Sequence, residues 1–589
     1  MILQALKEYY DRKEDLPRQG WELKAFPFLL QINADGSFFG FRDTREGEGK
    51  NRFAKEYLVP ALGEKKGNGI KANFFWENIE YLLGIPVPTK SKPRPNLERV
   101  TEQHKAFIAK INSISGDCDV LDSVRCFLRN FDSIEIRQSP LWTEVVSLNQ
   151  ALLIEIVNQG VVTDDQEIKN LIEKQRQNAQ GTDGLCLVSG ESDEISSLEP
   201  PIRGVQGANP TGASLVSVNN KITNGGNGGA VPAFSSFMKE QGHNSPIGKR
   251  ASFAYTTALN HLMRRDSPQK LAVGDATTVF WSAKDTCFES EVSNFFNEPP
   301  KDDPDRGTRA VAGLLQSVKT GAYAETDKGN RFYVLGLSPN SARISVRIWK
   351  VGTVPEMAEN FARHFEGLQI CHGSKEREHL SLFRLLVSTA SMGKPENIPP
   401  NLAGETMRTI LDGLPYPQTL LQAVIRRVRA EQAKKDSKTG KSLPNVTYPR
   451  AALIKGYLNR LIRTNNPEQE EAIKVGLDKE NKNIGYRLGR LFATLEKIQA
   501  ESHPGINATI RDKFYGAASS SPVTVFGNLM RLKNHHLAKL ESKGRRVNFE
   551  RLIGEVASEI KDFPAHLKLE DQGRFAIGYY HQMNDFYTK

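Results

Sequence analysis

The stretch RFYVLGLSPNSARISVRIWK, residues 331–350, constrains the fold most. Ile344, Val346 and Ile348 fall on one side of an extended chain, and Arg343, Ser345, Arg347 and Trp349 on the other. A period of two belongs to a β-strand, so the stretch predicts a hairpin and the chain must carry sheet. FPFLLQINADGSFFGF predicts another hairpin, turning at Ala34-Asp35-Gly36. TTVFWSA, from Thr277, predicts a further strand.

Helical patterns surround these strands. Residues 2–12 predict a short helix, and GEKKGNGIKANFFWENIEYLLG (63–84) a Gly- and Lys-rich loop entering an amphipathic helix. The Pro-rich IPVPTKSKPRP follows as an extended linker. Residues 99–180 read as helical, LWTEVVSLNQALLIEIVNQG included. From about Asn401 helical spacing dominates, with Ile484, Leu488, Leu491, Leu495 and Ile498 forming a seam. Further helices are expected at 452–463, 521–541, 546–560 and 571–587. The predicted class is α+β: a mixed α/β N-terminal region with β-hairpins (1–400), then a C-terminal α-helical bundle (401–589).

At 589 residues the chain is too long for one core. Its net charge of +10 favours nucleic acid or another anionic surface as partner. Five cysteines without CxxC spacing speak against a disulfide framework and for a reducing compartment. The opening MILQALKEYYDRKEDLP carries charge where a secretion signal needs an apolar core, and no apolar run is long enough for a membrane span. A cytoplasmic protein with no membrane partner is expected.

Catalytic and cofactor motifs fail on spacing. A phosphate loop needs GxxxxGK followed by Ser or Thr. Gly242 to Gly248-Lys249 is one residue too long, and Arg250 stands where the hydroxyl belongs. Thr439-Gly440-Lys441-Ser442 has the ending, but Lys435 occupies the first glycine position. His364, Cys371, His372 and His379 fit no zinc-site spacing, and Asp302, Asp303 and Asp305 read as an acidic turn around Pro304. No catalytic residue, metal or cofactor is expected.

Nucleic-acid features are better represented. Lys65, Lys66 and Lys71 lie among glycines that let a phosphate approach, and Asn73 and Phe74 follow as a base reader and a wedge. The competing reading is a surface loop followed by core aromatics, since Phe75, Ile79, Leu82 and Leu83 make an apolar face. In QGHNSPIGKRASFAYTTALNHLM, Ser245 and Pro246 predict a helix start, with Gln241, His243 and Asn244 just before it. Lys249 and Arg250 then sit at the positive end of a helix, where cations are unfavourable without an anion nearby. DNA phosphate would supply it; simple solvation is the alternative. Arg426, Arg427 and Arg429 open the densest positive run, IRRVRAEQAKKDSKTGK, and Arg343 and Arg347 form a strip on the later hairpin.

Whole phrases carry a resemblance. KANFFWENIEYLLG, CLVSGE, GVQGANPTGASLVS, KEQGHNSPIGKRASFAYTTALNHLM, TTVFWSAKD, YVLGLSPNSARISVRIW, GRLFATLEKIQ, HHLAKL and DQGRFAIGYYHQM together resemble the large subunit of the type I-C CRISPR Cascade complex, the Csd-one family. They occur in family order from about residue 70 to the C-terminus. Residues 201–230, PIRGVQGANPTGASLVSVNNKITNGGNGGA, are rich in Gly and Asn and read as a mobile loop, and one departure from the family, NNKITNGGNGGAVPAF, is an insertion near 217–233.

The resemblance implies a non-catalytic subunit of an RNA-guided complex. It implies recognition of a protospacer-adjacent motif in duplex DNA, promotion of unwinding and R-loop formation, and recruitment of a helicase-nuclease. The implied partners are the crRNA-containing backbone and foot subunits, a small subunit, the target duplex and its displaced strand. The small subunit can arise by internal initiation on the same gene; Met407 lies early and Met530 late for that product. The alternatives are a nucleic-acid-processing enzyme and a purely structural ribonucleoprotein scaffold.

Overall fold

The computed structural model describes residues 1–47, 52–61, 69–88, 94–177, 183–218, 239, 241–341, 343–399, 401–466 and 473–588. It divides into two compact units: residues 1–204, 208–264 and 340–344, and residues 205–207, 265–339 and 345–589. Sheet lies in the earlier sequence and helix fills the later part, so the chain is α+β. Among the described residues no helix is long and apolar enough to cross a membrane.

The first unit is built on a five-stranded sheet. Phe38–Asp43, Phe28–Ile32, Leu152–Ile156 and Trp76–Glu77 lie side by side, and Gly160–Val161 also pairs with Leu152–Ile156. The Ala34-Asp35-Gly36 turn joins the first two strands as expected. Gly36 has φ +82°, and a Cβ there would lie 2.7 Å from Cys126 Cβ, so both conformation and packing require glycine. Ser123 Oγ donates to the Ala34 carbonyl at 2.6 Å, fixing the turn on the Asp119–Asn130 helix.

Two sequence expectations fail at this sheet. ALLIEIV is not helical: Leu152–Ile156 is a central strand, parallel to Phe28–Ile32 with Leu30 opposite Ile154. Asn149, left-handed at φ 44°, ends the preceding Trp142–Leu148 helix. All five strand residues are buried, and a strand covered on both faces loses the alternation that marks it. The helix expected to run to Gly84 is only Ile79–Leu82, because Trp76 and Glu77 pair with Leu153 and Leu152. Most of the Gly/Asn-rich insertion lies outside the described residues.

A four-stranded sheet, all but Asn340, Arg343 and Ile344 of it in the second unit, runs Lys270–Val273, Ala276–Ser282, Arg331–Asn340, Arg343–Thr353. Trp281, Tyr333 and Trp349 stack across three strands, Tyr333 and Trp349 with an interplanar angle of 11°. One core continues from Leu271 on this sheet through the helices to Tyr580. The expected helices form at Tyr448–Asn465, Ile484–Ser502, Phe526–Ala538, Lys543–Ala557 and Leu569–Thr588.

Ile484–Ser502 packs against Leu569–Thr588 backbone to backbone. A Cβ on Gly489 would lie 2.0 Å from the Phe575 carbonyl oxygen, and one on Gly578 2.0 Å from that of Tyr486. Arg490 is fully buried beside this contact, its guanidinium donating to Gln582 Oε1 at 3.1 Å and to Glu555 Oε1 at 2.8 Å. Gly489→Ala therefore loses about 3 kcal/mol or more of stability, the upper range for overpacking, since a helix backbone cannot move aside. Gly554→Ala, with open space at its Cβ, holds or gains stability. Chemical denaturation of the two variants reads the contrast.

His581 is 1% exposed, with Nδ1 2.9 Å from the Tyr486 hydroxyl. Burial, reinforced by Lys455, pushes its pKa down to about 4. An unfolded histidine titrates near 6.5, so the unfolded chain takes up the proton first as pH falls. The stability present above pH ~6.5 is lost between there and about pH 4. Replacing the residue, His581→Gln, flattens that part of a stability-against-pH curve.

Candidate nucleic-acid interface

Lys65 and Lys66 lie outside the described residues. Lys71 is half-buried. Asn73 is 2% exposed, and its Nδ2 and backbone N–H both donate to Glu77 Oε1, at 2.7 and 3.2 Å. The carboxylate fixes which end of the amide is which: Nδ2 faces Glu77, and the buried Oδ1 makes no hydrogen bond. Phe74 is in the core with the Lys110 ammonium 4.2 Å from its ring centroid. Phe75 takes φ 63° and is fully buried, so the chain turns sharply between Asn73 and the strand at Trp76.

Gln241–Asn244 is a 3-10 turn, half-exposed throughout. Asn244 Nδ2 donates to the carbonyls of Lys239 and Gln241 at 2.9 and 3.1 Å. Gly242 is pressed on Ser196, whose carbonyl oxygen would lie 1.8 Å from a Cβ. Gln241 and Ser245 edge a polar recess of about 270 Å³ with Ser214, Ser217 and Glu199. Burial pushes the Glu199 carboxyl up, opposed by the Ser252 and Tyr255 hydroxyls that donate to it.

The helix after this turn begins at Lys249, capped by Gly248, three residues past the predicted Pro246 start. Leu187 N–H donates to the Pro246 carbonyl and Ser196 N–H to that of Ile247, both at 2.9 Å, which keeps 246–248 extended. The anion at the helix entry belongs to the chain. Asp193 Oδ2 accepts from the Arg250 backbone N–H at 2.9 Å. Lys249 pairs with Glu194, and the Arg250 guanidinium lies 3.5 Å from Asp193 and 3.6 Å from Glu191. These carboxylates sit on and beside the two-stranded ribbon Asp183–Leu185 and Ser192–Glu194. Lys249 and Arg250 still keep about half their side-chain surface exposed, at 47% and 57%.

On the later hairpin Arg343, in the first unit, and Arg347, in the second, are both exposed. Lys350 is tied to Asp412 at 2.7 Å. Arg426 and Arg429 project to solvent from the Gln418–Ala430 helix, whereas Arg427 is half-buried toward Glu431. Glu431 also binds Arg450 at 2.9 Å and Lys434 at 3.3 Å. Those partners hold its carboxyl below the usual range against the opposing effect of burial. Asp436 organises the next turn by accepting from the backbone of Lys438 and Thr439. The exposed cations of this run are Arg426, Arg429, Lys434, Lys435, Lys438 and Lys441, of which Lys434 pairs with Glu431 and Lys435 donates to the Asn507 carbonyl at 3.0 Å.

Sequence reasoning passed over a second basic face. Arg531, Lys539, Lys543, Arg545 and Arg551 are exposed on and beside the Phe526–Ala538 and Lys543–Ala557 helices. Arg545 makes a two-pronged pair with Glu501 at 2.7 and 2.9 Å. The signal was the run KLESKGRR, where four cations outnumber one acid across a helix boundary. The run holds Lys539, Lys543, Arg545 and Arg546 against Glu541.

Among the described residues no three His, Cys, Asp or Glu side chains are grouped to hold a metal. His364 and His379 are both buried and hydrogen-bonded, to the Tyr416 hydroxyl at 2.5 Å and the Phe295 carbonyl at 2.7 Å.

The exposed cations, distributed over both units, define a basic α+β protein. Residues 6–587 match the CRISPR-associated protein family Cas_Csd1, so the chain belongs to that family and to the Cascade-related proteins of CRISPR systems. No functionally curated protein matches it.

Because Asp193 caps the Lys249 helix, Asp193→Ala costs about 1–2 kcal/mol. Thermal unfolding checks it. Glu191→Ala, at an exposed pair, changes stability by less than about 1 kcal/mol.

Proposed function

We propose that the chain is the large, non-catalytic subunit of a type I-C Cascade complex. It reads a short protospacer-adjacent motif in duplex DNA, promotes unwinding and R-loop formation, and supports recruitment of a helicase-nuclease. The observation that carries this is family membership across residues 6–587. Guide pairing reads the long target sequence in such machines, so protein need read only a short motif and the backbone.

In this reading residues 1–400 carry motif recognition and contacts to the crRNA-bound backbone and foot subunits. Residues 401–589 act as the small-subunit-like bundle beside the displaced strand. Gln241, His243 and Asn244, half-exposed on a 3-10 turn, are the foremost described candidates for the motif. Lys65, Lys66 and Lys71, with Lys249, Arg250, Arg343 and Arg347, supply phosphate contacts. Arg426 and Arg429 serve the displaced strand, with Arg427 behind them. Asn73 and Phe74 contribute from within the fold.

The test assembles the complex with guide RNA and measures binding to duplex targets whose flanking motif is intact or scrambled. Scrambling weakens the wild type at least tenfold, and Gln241→Ala reproduces part of that loss; about 1.4 kcal/mol separates the two duplexes at tenfold. Reversing charge with Arg426→Glu and Arg429→Glu weakens all sequences alike and lowers the salt dependence by about one unit of slope per lost phosphate contact. Equal wild-type binding to both duplexes would reject motif reading and leave a scaffold.

A further inference from the structure

Between the Gln418–Ala430 and Tyr448–Asn465 helices the chain closes a basic turn that the roles above leave unused. Lys435 and Ser442 form an antiparallel bridge. Leu443 N–H donates to the Lys434 carbonyl at 2.9 Å, and Asp436 N–H to the Lys441 carbonyl at 2.8 Å. At the tip one carboxylate oxygen, Asp436 Oδ1, accepts from the N–H groups of Lys438 and Thr439 at 3.1 and 2.7 Å and from the Thr439 hydroxyl at 2.8 Å. Gly440, at φ +66°, donates its N–H to the Asp436 carbonyl at 2.9 Å and closes the turn.

The base of the turn is clamped to the Ile510–Ser520 helix. Gln432 Nε2 donates to the Asp512 carbonyl at 3.1 Å, and its Oε1 accepts from Gly516 N–H at 2.7 Å. Arg511, 7% exposed, donates to the Gln432 carbonyl at 3.1 Å and to the Ser442 hydroxyl. Lys434 and Lys435 are tied to Glu431 and the Asn507 carbonyl. Lys438 and Lys441 differ. Both are exposed, and among the described residues neither ammonium has a hydrogen-bond or ion-pair partner. Two bare cations are therefore carried on a backbone fixed at its base and at its tip, so little ordering remains to be done on binding.

The tip itself narrows the ligand. Ser437, Lys438, Thr439, Gly440 and Lys441 offer no aromatic or large aliphatic anchor, whereas protein interfaces centre on such anchors and are depleted in lysine. The amides of Lys438, Thr439, Gly440 and Lys441 are engaged within the turn, so they make no nest for a small free anion. What remains is two point charges at fixed places, on the same run as the exposed Arg426 and Arg429. Such an array suits a polymer of regularly spaced negative charges. We propose that the Asp436 turn grips the phosphodiester backbone of DNA through Lys438 and Lys441, and that Asp436, although an acid, strengthens this binding by holding the two lysines in place. The backbone is that of the displaced strand or of the duplex flanking the target. The inference rests on the nucleic-acid role proposed above and adds to it a contact that ignores sequence.

The assembled complex is tested for target binding over a range of salt. Lys438→Ala combined with Lys441→Ala weakens binding about tenfold at about 0.1 M salt. It lowers the salt slope by about 1.4 on a single strand or about 1.8 on duplex, two contacts at about 0.7 or 0.9 each. Asp436 separates a built grip from loose charge. Charge alone predicts that Asp436→Ala binds more tightly than the wild type. The built turn predicts that Asp436→Ala binds several-fold more weakly, while Asp436→Asn, which keeps an acceptor oxygen and drops the negative charge, binds at least as tightly as the wild type. Omitting the displaced strand abolishes the effect of the lysine pair when that strand is the source, and trimming the flanking duplex abolishes it when the duplex is. Unchanged affinity and slope in the lysine pair, an effect that survives both omissions, or Asp436→Ala binding as tightly as Asp436→Asn overturns the proposal. So does reduced incorporation into the complex at unchanged DNA affinity, which assigns the turn to a protein subunit. Motif dependence that survives any of these results leaves the DNA-reading role standing and removes only the turn's.

Discussion

Close approach of two helix backbones organises the second unit. Gly489 and Gly578 admit the facing carbonyls of Phe575 and Tyr486 where any side chain would collide, and Gly485 does the same for Asp571. At that separation the neighbouring large side chains must interlock. Phe492 meets Phe575 and Tyr579, and Tyr515 meets the same two rings at nearly right angles. Polar groups trapped alongside are then obliged to find partners. Tyr579 donates to Glu496 Oε2 at 2.6 Å and Thr509 to Oε1 at 2.9 Å, while Arg511 offsets the burial that drives the Glu496 carboxyl up. The result is a rigid scaffold whose basic residues, Arg426, Arg429 and those near Lys543, are left to face outward.

In the first unit the comparable constraint is the buried strand Leu152–Ile156. It joins the early hairpin on one side and Trp76–Glu77 on the other, so the sharp turn at Phe75 has a fixed end. Glu77 is then placed to bind Asn73. A residue whose type suggests base reading is thereby drawn inside, away from the open surface. The same unit neutralises Lys249 and Arg250 internally through Asp193, Glu194 and Glu191. Each cation remains about half exposed, so structural pairing does not remove it from the surface potential.

Much of this was legible in the chain. The Ala34-Asp35-Gly36 hairpin and the five late helices follow from periodicity and turn chemistry, because one face of each is wet and the other dry. Leu152–Ile156 was not legible, since burial on both faces leaves no alternation to read. The helix start at Lys249 was displaced by pairing of Ile247 with Ser196, which is remote in sequence, against a sound local cap signal at Ser245. Among the candidate contacts, charge density picked out the run that holds Arg426 and Arg429, which face solvent. It could not separate them from Arg427, which turns toward Glu431.

The sequence by itself determined the α+β class, the basic character and, through phrases spread along the whole chain, the Cas_Csd1 family. Those properties depend on local periodicity, on summed charge and on residue order, all of which survive without coordinates. Tertiary structure alone decided which cations are internally paired, why Gly489 and Gly578 cannot be replaced, and that Asn73 is held inside the fold by Glu77. Each of these depends on partners remote along the chain, such as Asp193 for Arg250 and Tyr486 for Gly578. Hydrogen bonds and steric exclusion act over a few ångströms of space, and distance along the chain does not specify which residues come that close.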